Sequence, residues 1–277
     1  MAYLRSSALG ALVARSVLGW VRRDPQAREL ERTNFRGRTV TLAGGPALAV
    51  GATVGAASGA ATGRLGAAAV VAGAVSGAVG FYDDVAGNRP EQKSAKGFAG
   101  HLGALREGFV TSGLVKIVGV GAAGLAASAL IGSSRTSRFG RGADLLLGAG
   151  VIAGTANLIN LLDLRPGRAL KAGAILGAPL AVGRNASMTA GTLGAGAALL
   201  PDDLGEDIML GDAGANALGA LLGVAFVARS GTAGRAAALA GLAALTAASE
   251  KVSFTKVIKD TPWLRALDDL GRRPPHA

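Results

Sequence analysis

The sequence lacks cysteine and is poor in aromatic residues. Without cysteine, the 277-residue chain can form no disulfide, thiol active site or cysteine-ligated metal centre, although this says nothing about its compartment. Aromatic residues make up 4% of the chain, which excludes the stacking platform that single-stranded nucleic acids require. Both absences narrow the classes of function that the chain can have.

Charged residues are also scarce, and their distribution is uneven. They make up 17% of the chain, whereas soluble proteins carry about a quarter. The stretches 44–63, 65–82 and 114–131 carry almost no charge. A membrane span needs roughly 20 apolar residues, with a workable range of about 17–25. We therefore predict an integral membrane protein rather than a soluble domain.

The predicted fold is all-α, a polytopic bundle of about nine transmembrane helices with a cytoplasm-facing cleft. It is a single membrane domain, 1–277, in which 249–277 forms a basic cytoplasmic tail. Small residues four apart, such as Gly219 and Gly223, would let the helices pack closely. The predicted spans are 4–20, 44–61, 65–82, 110–132, 143–162, 168–183, 186–200, 213–228 and 233–248.

The basic residues indicate the orientation. The net charge is +11, but the basic residues lie in short segments between apolar stretches, so we predict no nucleic-acid partner. With the N-terminus outside, lysine and arginine favour the cytoplasmic side by about two to one. We therefore predict a multi-pass protein of the inner or plasma membrane, embedded in the lipid bilayer. Its cytoplasmic segments would be 21–43, 83–109, 163–167, 201–212 and 249–277.

Three polar groups lie where predicted spans meet this side. They are the Asp83-Asp84 pair closing the third span, Asn157, Asn160 and Asp163 on one face at the end of the fifth, and Gly211-Asp212-Ala213-Gly214 opening the eighth. Each group alone is typical of an ordinary interfacial cap. Ionisable groups at membrane depth are costly and usually mark function or a hydrated cavity. Three groups on one side therefore favour a functional site.

These residue types suit phosphate chemistry. An aspartate pair offers Mg²⁺ the oxygen ligands that it prefers, usually together with substrate phosphates. Two close carboxylates also repel each other, so that one can keep a raised pKa and serve as a base. The start of a helix presents backbone N–H groups and a positive dipole end to a phosphate.

The ordered set of motifs resembles the polyprenyl-phosphate N-acetylhexosamine-1-phosphate transferase superfamily. The segment 38–45 is similar to its basic Thr-Pro-x-x-Gly-Gly motif, with proline replaced, and the Asp83-Asp84 pair to its aspartate pair. Lys96-Gly97-Phe98 resembles the Lys-Gly-Leu that follows in the family. Asn157 to Asp163 resembles Asn-x-x-Asn-x-x-Asp, and Gly211 to Gly214 resembles Gly-Asp-x-Gly. The similarity covers nearly the whole chain, in order.

The resemblance implies transfer of a phospho-N-acetylhexosamine from a UDP-sugar to undecaprenyl phosphate, with release of UMP, in cell-envelope glycopolymer synthesis such as that of peptidoglycan. Asp212 and one of Asp83 and Asp84 would hold Mg²⁺, while the other would orient or deprotonate the lipid phosphate. All three are predicted catalytic residues and metal ligands, and the sequence does not assign the pair individually. The predicted substrate-binding residues are Lys96, Asn157, Asn160, Asp163, Gly211 and Gly214.

Two departures from the family pattern keep other functions open. Asp163 is followed by Leu164-Arg165-Pro166-Gly167 instead of Gly-x-Asp-Gly, and the cytoplasmic histidine cluster is missing, since only His101 and His276 are present. A non-catalytic relative that binds a lipid phosphate or a partner in envelope assembly is the alternative, and a small transporter is a third. The sequence leaves open the sugar and the oligomeric state, including a homodimer.

Three other charged features have simpler interpretations. Lys116, near the start of the fourth span, is interpreted as a lysine that snorkels to the membrane surface. The acidic run 201–207 is interpreted as a solvated turn, with a secondary metal contact as the alternative, and the Asp268-Asp269 pair as a surface feature of a tail helix.

Overall fold

The computed structural model describes residues 1–87, 89 and 97–274, and this part of the chain is mostly helical. Lys96 and His276 lie outside the described residues. The α-helices are α1 (Ala2–Arg23), α2 (Gly44–Ser58), α3 (Gly63–Ala86), α4 (Gly97–Arg106), α5 (Ser112–Ile131), α6 (Arg138–Leu162), α7 (Arg168–Gly177), α8 (Ala186–Leu204), α9 (Gly211–Val227), α10 (Thr232–Ser249), α11 (Phe254–Asp260) and α12 (Pro262–Asp269).

Three of these helices are long and apolar enough to cross a membrane. They are α3, α5 and α6, while α9 is apolar but has only 17 residues. Each of the nine predicted spans falls on an α-helix, but length and composition support a crossing for three within the described chain. Large apolar side chains, among them Leu12, Val118 and Leu146, are exposed on the bundle surface, where lipid would cover them. The structure thus supports the prediction of a helical membrane protein, with three helices that could cross the membrane.

The all-α prediction misses a β-hairpin within the predicted loop 21–43. Strand β1 (Glu31–Thr33) pairs antiparallel with β2 (Thr39–Thr41), with Glu31 opposite Thr41. In the turn, the Asn34 side chain accepts hydrogen bonds from the backbone N–H groups of Arg36 and Arg38, at 2.9 and 3.0 Å. Such local side-chain bonding stabilises turns in preference to helix. The 3-10 helix Pro25–Leu30 precedes the hairpin.

The hairpin connects the N-terminal ends of α2 and α9. The backbone N–H of Met209 donates to the Thr41 carbonyl at 2.9 Å, and Thr41 forms a parallel bridge with Ile208. The start of α2 therefore lies beside the start of α9.

Helix α9 is the central helix of the bundle, and nearly all of its residues are buried. It packs against α3, α6 and α2. A Cβ at Gly219 would lie 2.4 Å from the Thr155 carbonyl oxygen, so only glycine permits this approach of α9 to α6. The small-residue prediction is confirmed at this crossing. The close packing fixes the start of α9 between α3 and α6.

The segments that we predict to be cytoplasmic meet at one end of the bundle. Asp84 contacts the start of α9. Arg36 of the hairpin turn donates to the Arg273 carbonyl at 3.2 Å, and Arg272 Nε donates to the Pro166 carbonyl at 2.9 Å. We call this the acidic end of the bundle.

The interpretation of Asp268 as a surface residue is wrong. Its side chain is only 9% exposed and accepts hydrogen bonds from Arg168 Nε and Nη2, at 2.8 and 2.9 Å, and from Arg272 Nη2 at 2.6 Å. The neighbouring Asp269 is 64% exposed, as predicted. Helices α11 and α12 are therefore docked on α7 through this buried ion pair.

Candidate functional site at the acidic end

Asp83, Asp212 and Lys116 form a compact group of charges at the acidic end. They come from the last turn of α3, the first turn of α9 and the first turns of α5. The Lys116 ammonium lies 2.5 Å from Asp83 Oδ2 and also pairs with Asp212 Oδ2. The two carboxyl groups therefore lie close together, on either side of one ammonium. We call these three residues the charge triad.

The triad is partly shielded from solvent. The side chains of Lys116, Asp83 and Asp212 are 19%, 14% and 24% exposed. Asp83 also has a hydrogen bond with the Ser112 side chain, at the start of α5. Interactions between charges are stronger where water is partly excluded, because the effective dielectric constant is lower.

Asp84 caps the start of α9. Its Oδ1 accepts the backbone N–H of Asp212 at 2.9 Å, and its Oδ2 accepts that of Ala213 at 3.0 Å. Gly211 has φ of +57°, and a Cβ there would lie 2.7 Å from Asp84 Oδ1. A carboxylate at a helix N-terminus is favoured by the free N–H groups and by the helix dipole. The anion at this helix start is thus Asp84 itself, where the sequence predicts a phosphate.

A glycine sets the distance between α3 and α9. A Cβ at Gly80 would lie 2.4 Å from the Asp212 carbonyl oxygen. Since that atom belongs to the backbone, an added methyl group would force the two helices apart. The spacing between Asp83 and Asp212 therefore depends on a glycine one turn before the aspartate pair.

Asp163 also reaches the start of α9. It follows the last residue of α6, as predicted, and it receives a hydrogen bond from the backbone N–H of Gly211. Desolvation raises the pKa of Asp163 well above its ordinary value, and the charge of Asp203 adds to the effect. The first turn of α9 is therefore held by two carboxyl groups, from α3 and α6.

The other predicted substrate-binding residues lie elsewhere or are not described. The Asn157 amide donates to Thr246 Oγ1 of α10 at 3.1 Å, so this group is directed at α10. Asn160 is half-buried on α6, and Gly214 packs against Gly45 at the start of α2. Lys96 lies outside the described residues. Of the polar face on α6, Asp163 is the member whose contact with the start of α9 is established.

A cavity of about 210 Å³ lies at the acidic end, and Asp163 forms part of its wall. The Arg165 guanidinium lies 4.3 Å from the centroid of the Phe35 ring, a cation–π geometry. The residues that line the cavity come from the hairpin, the turn after α6 and the segment before α9: Thr33, Asn34, Phe35, Val40, Asp163, Leu164, Arg165, Pro166, Asp203, Glu206, Ile208 and Met209.

The acidic run 201–207 is not the solvated turn that we predicted. Residues 201–204 complete α8, and the side chains of Asp203 and Glu206 are buried at the cavity wall. Glu206 pairs with Arg36 at 2.9 Å and accepts from the Asn34 amide at 2.7 Å. Asp203 accepts the Gly167 N–H at 2.9 Å, yet desolvation raises its pKa to about 7. Burial therefore favours the protonated form of Asp203 more than it would be favoured at an exposed aspartate.

Sequence reasoning missed the pairing of Lys116, which it interpreted only as a snorkelling residue. The Lys116 ammonium is directed at Asp83 and Asp212. A signal was available, because a lysine within an apolar span usually has a partner of opposite charge. Its distance in sequence from both partners hid the pairing.

The predicted Mg²⁺ ligands meet, but their present arrangement does not fit a resident ion. Mg²⁺ requires near-octahedral oxygen ligation. Within the described residues, no group of three or more carboxylate, histidine or cysteine side chains is arranged to hold a metal. Asp83 and Asp212 share the Lys116 ammonium, and both oxygens of Asp84 accept backbone N–H groups. We therefore derive no step through a metal.

Comparison with known proteins adds no relative. No protein-family model matches this chain, and no curated protein matches it. A functional assignment therefore depends on the residues and their geometry.

Proposed function

We propose that the acidic end is the active site of a membrane enzyme that transfers a phospho-N-acetylhexosamine from a UDP-sugar to undecaprenyl phosphate. The observation that carries the proposal is the convergence of Asp83, Asp212 and Lys116 from three helices that are distant in sequence. Two of these helices are long and apolar enough to span a membrane. The motif order, which resembles that of the transferase superfamily, supplies the substrate classes.

In the proposed reaction, an oxygen of the lipid phosphate attacks the β-phosphorus of the UDP-sugar. The bond from this phosphorus to the oxygen that bridges it to the α-phosphate breaks, and UMP leaves with that oxygen. Asp83 would orient the lipid phosphate or accept its proton. Lys116 would offer positive charge to the phosphates, where a preorganised cation favours the transition state.

The position of the charge triad suits a lipid acceptor. Near the acidic end, Val110, Ile117 and Val118 expose apolar side chains at the start of α5, close in sequence to Lys116. A prenyl chain could remain in the bilayer along this face while its phosphate reaches the triad. The proposal thus needs no movement of the apolar chain out of the membrane.

The cavity suits one part of the donor. Its volume of about 210 Å³ is below the roughly 300–1,000 Å³ of pockets that enclose a whole ligand. Phe35 and Arg165 offer an aromatic face and a cation, a combination that suits a nucleobase and its phosphate. We therefore assign the uridine end of the donor to the cavity, with Asp163 between it and the triad.

The test is UMP release by purified protein supplied with undecaprenyl phosphate and a panel of UDP-N-acetylhexosamines. Asp83→Asn, Asp84→Asn and Asp212→Asn should each abolish release while the protein remains in the membrane fraction. Wild-type release by any of the three would refute the site assignment.

A second candidate is a non-catalytic protein that binds a lipid phosphate. It is favoured by the observation that Asp83, Asp84 and Asp212 are all satisfied within the protein. This candidate predicts that undecaprenyl phosphate binds and that no donor yields UMP. Retained binding in Asp83→Asn, together with absent release in the wild type, would favour it over the enzyme.

A further inference from the structure

Asp83 and Asp212 need a counter-charge, because both pair with the same ammonium and two ionised carboxylates this close together repel each other. In a site that uses a divalent cation, the metal supplies that charge. Here the Lys116 ammonium is in contact with one oxygen of each carboxylate. A metal ion would have to take the same oxygens.

Two other cations near this end, Arg32 and Arg165, are engaged elsewhere. Arg32 donates to the backbone carbonyls of Asp84, Glu29 and Glu31. Arg165 lies over the Phe35 ring. Among the described contacts of Asp83 and Asp212, Lys116 is the basic side chain that reaches both carboxylates.

We infer that Lys116 is the built-in counter-ion of the Asp83–Asp212 pair and closes the acidic end without a divalent cation. The lysine joins α5 to α3 and α9, so that one side chain links three helices. Removing it takes away the one ammonium that pairs with both carboxylates among the described residues, and a divalent cation then binds in its place. This inference concerns stability and metal binding, and it stands whether or not the site is catalytic.

The experiment compares thermal unfolding of the wild type and Lys116→Met in detergent, with EDTA, with Mg²⁺ and with Mn²⁺. The wild-type melting temperature should be the same in all three conditions. In EDTA, Lys116→Met should melt lower by roughly 6 °C or more, since an uncompensated buried charge is strongly destabilising. Mg²⁺ or Mn²⁺ should restore part of that loss. Lys259→Met, at an exposed lysine of α11, is the control and should show neither effect.

A double variant keeps the inference testable if Lys116→Met does not fold. Lys116→Met with Asp212→Asn removes one carboxylate charge together with the lysine, and it should recover stability in EDTA without responding to metal. Two results would overturn the inference. One is a wild-type melting temperature that falls in EDTA and rises with Mg²⁺. The other is a Lys116→Met protein that melts like the wild type in EDTA.

Discussion

The docking of the C-terminal helices provides a sharp test of the fold, because two adjacent aspartates have opposite environments. Asp268 is buried against Arg168 and Arg272, with hydrogen bonds of 2.6 to 2.9 Å, whereas Asp269 is 64% exposed and pairs with Arg272 at 3.4 Å. Asp268→Asn preserves shape but removes the charge that the two arginines face. We expect α11 and α12 to separate from α7 more often in this variant.

The magnitude follows from the burial. Removing one partner of a buried ion pair destabilises by about 3–5 kcal/mol. We take the lower limit, about 3 kcal/mol, because asparagine keeps one acceptor oxygen. At about 1.4 kcal/mol per tenfold change, the undocked population should rise roughly 100-fold. Exposed ion pairs contribute about 0–1 kcal/mol, so Asp269→Asn should raise the undocked population less than about fivefold.

Limited trypsin digestion in detergent measures this population. Lys256, Lys259 and Arg265 lie within the two docked helices, and their cleavage rate follows the undocked fraction when opening is fast. Equal cleavage rates for Asp268→Asn and Asp269→Asn would refute the docking argument.

Three further predictions concern packing, capping and pH. Gly80→Ala should lower the melting temperature by several degrees, because overpacking costs about 1–3 kcal/mol. Gly121→Ala is the control and should not lower the melting temperature, since nothing lies within 4 Å of the new Cβ. Asp84→Asn should destabilise by about 1–2 kcal/mol in thermal or denaturant unfolding, because it weakens the cap on α9; a change under half a kcal/mol would contradict the capping role. Burial alone would raise the pKa of Asp268, but its hydrogen bonds and charge contacts with the two arginines lower it below the ordinary value. The stabilisation that the ionised Asp268 provides is therefore complete above its unfolded pKa of about 4, and it is lost as pH falls through its lower pKa in the folded state. Circular dichroism on acidification should show this loss in the wild type and not in Asp268→Asn.

The sequence predicts the helical framework well, because long apolar stretches constrain both length and position. The aspartate pair ends α3 and Asp212 begins α9, as their positions in the sequence indicate. The hairpin was missed because its two strands have three residues each, too few for an alternating pattern to be read.

The site was only partly predictable, for a physical reason. Carboxylates at the ends of apolar spans indicate where a site lies, but the partner of each carboxylate depends on which helices become neighbours. The Lys116 contacts with α3 and α9 arise from helix packing, which no local pattern contains. The same holds for Asp268, whose burial depends on Arg168, 100 residues earlier in the chain.

The most direct test of the proposed active site is UMP release by the purified wild type and by Asp83→Asn, with Asp269→Asn as the control, in EDTA and in Mg²⁺. We expect release from at least one UDP-N-acetylhexosamine donor, lost in Asp83→Asn and retained in Asp269→Asn. Release that requires Mg²⁺ would support the transferase, and the melting temperatures in EDTA and Mg²⁺ then decide whether Lys116 is the built-in counter-ion. Absence of release from every donor by folded protein, or release unchanged in Asp83→Asn, would contradict the account.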